Sequence, residues 1–426
     1  MLKLVFKYIF TILVLLFLSP LSMKAETTLQ SKVDGAANGE KIEIEAGVYE
    51  GAIKIAKSVT LSGNGNVVLR SCEQTPIVAI SGQAVQLRGV TIEYCGDESE
   101  GAGIYISGSN HVLEDILVKT NHFGIRLEDA SGIAIENSSV IGNKNGNGID
   151  FWQSSHNVVK NVMIKNVADG LYLERSDDNS IISNRIDGSR YGIHIMYSND
   201  NLIEKNTSKH NITGGMVMEA FGTQIRDNVF SFNDSNVNAQ GLLLYRAFNS
   251  FVEGNTLESN RLGIFVEESE ENIIKNNKVA RNFIGFQFKQ AKKNAAETND
   301  FSENVHDAQA IDSEDNEVRG NYWDSAAMVD SNNDGRSDIP HKSDPYFLSL
   351  TENIPGYRLF FQSPGLIFLQ TMLKSPPEKL LTDVAPLINR DVQEINKESG
   401  QVDMVFMAFA MVTVSSIIFI FGRKRE

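Results

Sequence analysis

Between Gly103 and Phe301 the chain alternates apolar and polar residues with a period of two, in short bursts that each open at a glycine. Gly103-Ile-Tyr-Ile, Gly124-Ile-Arg-Leu, Gly148-Ile-Asp-Phe and Gly170-Leu-Tyr-Leu begin the series. Gly192-Ile-His-Ile, Gly215-Met-Val-Met, Gly241-Leu-Leu-Leu, Gly263-Ile-Phe-Val and Gly285-Phe-Gln-Phe complete it, at spacings of 21 to 26 residues. Alternation of this kind predicts a short strand with one buried face. The residues one and three places after each glycine are apolar throughout, among them Ile149/Phe151, Ile193/Ile195, Met216/Met218 and Phe286/Phe288, and are predicted to point inward. No single burst can bury its own stripe, so neighbours must stack into one continuous core.

Polar punctuation supports the stacking. Asn157, Asn179, Asn201, Asn272 and Asn294 recur nine residues after the glycine, and a second column holds Asn137, Asn161, Asn184, Asn206, Asn228, Asn255, Asn277 and Asn299. Asparagine tolerates left-handed turns, and stacked amides can bond along a ladder. The predicted fold is all-β: a right-handed parallel β-helix of about 22-residue coils. A C-terminal cap, an amphipathic helix and a single transmembrane helix complete the expectation. The chain divides into a signal peptide (1–25), the β-helix (26–320), a closure and docking segment (321–375), a linker or amphipathic helix (376–403), a transmembrane helix (404–422) and a basic tail (423–426).

The ends set the compartment. Lys3 and Lys7 precede an apolar stretch from Tyr8 to Leu18, and Ala25 marks a cleavage boundary. Met404 to Phe421 carries no charge and is followed by Arg423-Lys424-Arg425, so a membrane tether with the solenoid outside is expected. With 54 acidic against 39 basic residues the net charge is −15, which argues against nucleic-acid binding. Cys72 and Cys95 are the only cysteines and align one coil apart, so a disulfide and two free thiols both remain open.

Candidate chemistry lies on the outward positions. Tyr172, His194, Val217, Leu243 and Phe265 stand two places after their glycines; Trp152, Glu174, Met196, Glu219, Tyr245 and Glu267 stand four after. Trp152, Tyr172, Leu243, Tyr245 and Phe265 form an apolar surface suited to a protein partner. His194 and Met196 share one side, a pairing of imidazole and thioether that suits copper; Met216 and Met218 join them as copper candidates, although their phase assigns them to the core. Asp330, Asn332, Asp334 and Asp338, with Gly335, have the spacing of a calcium loop or of a polar turn. The Asn-Thr-Asp, Gly-His-Gly and Arg-Ile-Lys signatures of β-helical polysaccharide hydrolases are missing, and no outward acid cluster of a lyase is evident, so no enzymatic activity is expected.

Gly192-Ile-His194-Ile-Met196-Tyr-Ser, Gly320-Asn-Tyr-Trp-Asp324, Asp330-x-Asn-x-Asp-Gly-x-x-Asp-x-Pro340 and Pro355-Gly-Tyr-Arg-Leu-Phe-Phe-Gln-Ser-Pro364 occur in that order. Together with the coils they resemble the NosD-type maturation proteins of nitrous oxide reductase, over about residues 27 to 375. The resemblance implies an exported, non-catalytic accessory protein for assembly of a copper–sulfur centre. Its partners would be a membrane ABC transporter, a copper chaperone and nitrous oxide reductase. Copper would be held transiently by His194, Met196, Met216 and Met218. The alternative is a surface β-helix that binds or modifies a polysaccharide.

Overall fold

The structure, a computed structural model, describes residues 26–96, 101–345, 365, 375 and 380–390. Its body is a parallel β-solenoid in which each coil gives one strand to a 12-stranded sheet and two to a 24-stranded sheet. Asp169–Glu174, Ser180–Ile182 and Arg185–Asp187 make up one such coil. Each strand pairs with its counterpart one coil on, Leu171 opposite Ile193 and Ile181 opposite Ile203. The inward stripes interlock into one core, with Ile104, Ile125, Ile149, Leu171, Leu242 and Ile264 at 1 % exposure or less. At the N-terminal end, helix Glu26–Gly35 sets Leu29 and Val33 into the same core as Ile42 and Ile55.

Corners and ladders explain the polar residues. Corner residues lie in the left-handed region, as at Asn161, Ser183 and Lys205 (φ 55–58°), where the strand direction turns. Asn184, Asn206, Asn228, Asn255, Asn277, Asn299 and Asn321 are buried in a row. The Asn206 Oδ1 accepts the backbone N–H (2.8 Å) and the Nδ2 (3.0 Å) of Asn184, and the Nδ2 of Asn206 passes the pattern to Asn228. Each amide thereby satisfies backbone donors that the turn leaves without a partner. Asn137 and Asn161 stand one place outside this ladder, at the exposed corner itself.

One coil departs from the sequence frame. A Cβ at Gly148 or Gly214 would lie 2.6 Å from the carbonyl oxygen of the next coil, so the close approach of coils requires glycine there. Gly214, not Gly215, therefore continues the glycine column. Gly215 takes the inward place opposite Ile193 and Leu242, and Phe230 fills the space a side chain would need. Everything after it shifts by one: Val217 points inward, whereas Met216 and Met218 face outward opposite His194 and Met196. The core assignment of the two methionines is thus corrected. Glu219 leaves the strand for a corner at φ 49°.

Cys72 and Cys95 form a disulfide across adjacent coils, with Cα atoms 4.5 Å apart. At the far end, Trp323 stacks on Phe301 (4.2 Å between ring centroids) and on His341 (4.6 Å). Strand His341–Ser343 pairs antiparallel with Leu381–Asp383. That second strand corrects the expected amphipathic helix across residues 381–383. Pro386 is incompatible with a helix interior, and the Asp383 carboxylate is drawn into the end of the ladder instead. Among the described residues no helix is long and apolar enough to cross a membrane. The signal segment 1–25 and the span 404–422 lie outside the described residues.

Candidate active site

The 12-stranded sheet presents its outward residues in straight columns, because its strands stack in register about 4.8 Å apart. Arg126, Asp150, Tyr172, His194, Met216, Leu243 and Phe265 follow one another in one column. Trp152, Glu174, Met196, Met218, Tyr245 and Glu267 form the next. Asp169, Tyr191, Thr213 and Gln240 line the opposite edge. The candidates Trp152, Tyr172, Leu243, Tyr245 and Phe265 are all on this face, but they share it with a charged centre that the sequence did not reveal.

That centre is built on Asp169, whose side chain is 1 % exposed. Arg190 donates to both of its carboxylate oxygens, through Nε at 2.9 Å and Nη2 at 3.0 Å. The Nδ1 of His194 lies 2.9 Å from Asp169 Oδ2. Burial alone would raise the Asp169 carboxyl, but the His194 and Arg190 hydrogen bonds outweigh it and hold the group below its ordinary range. An ionised carboxylate only accepts, so Nδ1 carries a proton, and in the neutral imidazole Nε2 is then the acceptor. Nε2 is buried and has no hydrogen-bond partner among the described residues. The ring sits edge-on to Tyr191 (4.8 Å) and Tyr172 (5.0 Å). His194 is only 7 % exposed, which corrects its reading as an exposed surface histidine.

Two further acids flank it. Tyr172 donates to Glu174 Oε2 at 2.6 Å; burial first, and then that carboxylate, push its phenol up, so it stays protonated. Asp150 is 5 % exposed and accepts from Asn147 Nδ2 at 2.8 Å. Burial raises its carboxyl to about 6 against the opposing effects of Asn147 and Arg126. Arg175 braces Trp152 (5.6 Å from the ring centroid), and Arg190 likewise braces Tyr191 (4.7 Å).

The four copper candidates come together as two adjacent outward pairs, His194 opposite Met216 and Met196 opposite Met218, with one imidazole nitrogen already engaged by Asp169. In the loop from Asp330 to Asp338 the carboxylates turn to backbone donors: Asp330 accepts from Asp334 and Gly335, Asp334 from Arg336, and Asp338 from Ser331. Asn332 accepts from the Asp334 N–H at 3.0 Å. Sequence reasoning overlooked Arg126, Asp150, Asp169 and Arg190. Arg126 and Asp150 were legible, two places after Gly124 and Gly148, the same phase as Tyr172 and His194. Asp169 and Arg190 precede their glycines and join the face only through strand register.

Comparison with known proteins gives a mixed result. Residues 51–208 match a family model described as right handed beta helix region, and residues 133–336 one described as periplasmic copper-binding protein (NosD). No curated protein matches. Among solved structures, the chain is similar to the periplasmic alginate epimerase AlgG, at 15% identity over 68% of this chain and 82% of that one, with a TM-score of 0.51. It is similar to the A-module of the mannuronan C-5 epimerase AlgE6 of Azotobacter vinelandii (16% identity, 70% and 94% covered, TM-score 0.48). A family 28 exopolygalacturonase of Yersinia enterocolitica also matches (11%, 71% and 76%, 0.46). At such identities the likeness shows the fold, a right-handed β-solenoid.

These three structures are named as enzymes of polysaccharides, and none as an assembly factor. The expectation of a non-catalytic protein is corrected by the face itself, which carries an aspartate-oriented imidazole, a group capable of proton transfer. The copper-centre assembly role, with its denitrification and transporter setting, is set aside with it. The family description agrees with an exported β-helix protein, and residues 133–336, which hold the His194 centre and the closing coils, are the part of the chain that matches the periplasmic copper-binding protein (NosD) family.

Proposed function

We propose that this protein binds a polysaccharide outside the cytoplasm and modifies it by proton transfer on the outward face of the 12-stranded sheet. His194 supports the reading most. Its Nδ1 is fixed by Asp169, and its Nε2 is left without a partner. A buried nitrogen without a hydrogen bond is costly, and the arrangement matches that of an oriented general base. Tyr172 and Asp150, both held toward their protonated forms, stand one and two coils away as proton donors. A sugar chain laid along the solenoid axis meets these groups in succession, since one pyranose unit is about as long as one coil step. Met216, opposite His194 one coil on, has an unbranched side chain that changes rotamer readily.

The test is to incubate the purified protein with alginate, polygalacturonate and a neutral glucan. New reducing ends, unsaturated sugar absorbance and the proton NMR spectrum are then followed. One product class is expected with wild type, and a loss of roughly 10²-fold or more with His194→Gln. An absence of both binding and turnover on every polymer would sink the reading.

A further inference from the structure

Arg126 lies in the same outward column as His194, three coil steps away through Asp150 and Tyr172, or about 14 Å at the usual strand spacing. Its side chain is 28 % exposed, and its Nε is buried without a hydrogen-bond partner among the described residues. The nearest carboxylate oxygen, Asp150 Oδ2, is 3.7 Å from that Nε, beyond hydrogen-bond reach. Phe123 lies beneath the guanidinium, 5.4 Å from ring centroid to Cζ, and holds it upright on the face. Arg190, by contrast, spends two donors on Asp169. An arginine with an open donor, braced by an aromatic ring and set in line with an acid–base centre, suits a planar carboxylate.

Resting on the polysaccharide reading above, we propose that Arg126 is a specificity residue that binds the carboxylate of an acidic sugar unit about three units along the chain from the one at His194. The substrate is then a uronate-containing polysaccharide, and fragments too short to span both positions bind weakly. Asp150 fits this arrangement: raised to about 6, it carries a proton in part of the population near neutrality and competes less for Arg126. Glu128 and Asp129 on the Arg126 strand set the opposing negative charge, so the subsite accepts one carboxylate rather than a densely charged stretch.

The experiment measures affinity by calorimetry for tetramers prepared from polygalacturonate and from alginate, for digalacturonate, and for neutral cellotetraose. Wild type should bind a uronate tetramer at least about tenfold more tightly than the dimer or cellotetraose. Arg126→Gln should erase that advantage without changing cellotetraose binding, and Arg126→Lys should keep part of it. Arg185→Gln, on the other sheet, controls for general loss of positive charge, and thermal melting confirms that each variant is folded. Equal uronate affinity in wild type and Arg126→Gln would overturn the subsite alone. Failure of wild type to bind any oligosaccharide, neutral or acidic, would overturn the polysaccharide reading and this inference together.

Discussion

Asp150 and Asp169 stand on neighbouring coils, yet their surroundings drive them in opposite directions. Asp169 gains three hydrogen bonds from charged or polarised donors and stays ionised, whereas Asp150 gains one from a neutral amide and is pushed up to about 6. For Asp150 the folded state holds its proton more tightly than the unfolded chain, whose carboxyl titrates near 3.8. Its burial therefore costs stability above pH 6, and the cost disappears as the pH falls toward 4. Asp150→Asn should raise the free energy of unfolding at pH 8, by on the order of 3 kcal/mol at most, and leave it unchanged at pH 4. A variant no more stable than wild type at pH 8 would show that the carboxylate is better solvated than its 5 % exposure suggests. Asp169→Asn tests the other side: the amide no longer fixes the imidazole tautomer, so any polysaccharide turnover should fall while its pH profile shifts.

At the level of elements, the end of the solenoid depends on one carboxylate. Asp383 accepts from the backbone N–H groups of Gly320 and Asn321, the Asn321 amide and the Trp323 indole, at 2.8 to 3.0 Å. It stands where the next ladder asparagine would be, but a carboxylate has no N–H with which to extend the ladder. Asp383→Ala should cost several kcal/mol, since each buried donor left unpaired costs about 1–3 kcal/mol, and amide exchange at Asn321 and Trp323 should accelerate. The same end responds to acid. Burial lowers both His306 and His341 to about 4, so the unfolded chain takes protons near 6.5 that the folded cap refuses. Stability supplied by the cap should therefore decline as the pH falls from 6.5 to 4, and His341→Phe should flatten that decline. In the Asp330–Asp338 loop, a bound calcium ion would raise the melting temperature and a chelator would lower it. Identical melting with and without chelator, together with destabilisation by Asp330→Ala, would assign those carboxylates to the turn alone.

Over the whole molecule, the division between what sequence and tertiary structure each decide follows from the range of the interactions involved. Alternation, glycine spacing and asparagine recurrence are local signals, and they determined the solenoid, its coil length and most of its inward stripe. They failed at Gly214-Gly215, where Met-Val-Met is apolar at every place and alternation has nothing to distinguish. There only the contact between coil backbones, which tolerates no Cβ at Gly214, decides which side chains face out. They failed again at residues 381–383, where a helical spacing of leucines and valines overlooked a carboxylate drawn 62 residues back to Asn321. The functional face shows the same limit. His194 was visible as a residue type, but its character comes from Asp169, 25 residues earlier and one coil below. Sequence by itself determined that the chain coils and, except at Gly214-Gly215, where each glycine-led coil begins. The meeting of Asp169, Arg190 and His194, and the opposite settings of two aspartates, were decided only by strand register and burial, because a side chain's charge state depends on neighbours that the order of residues does not name.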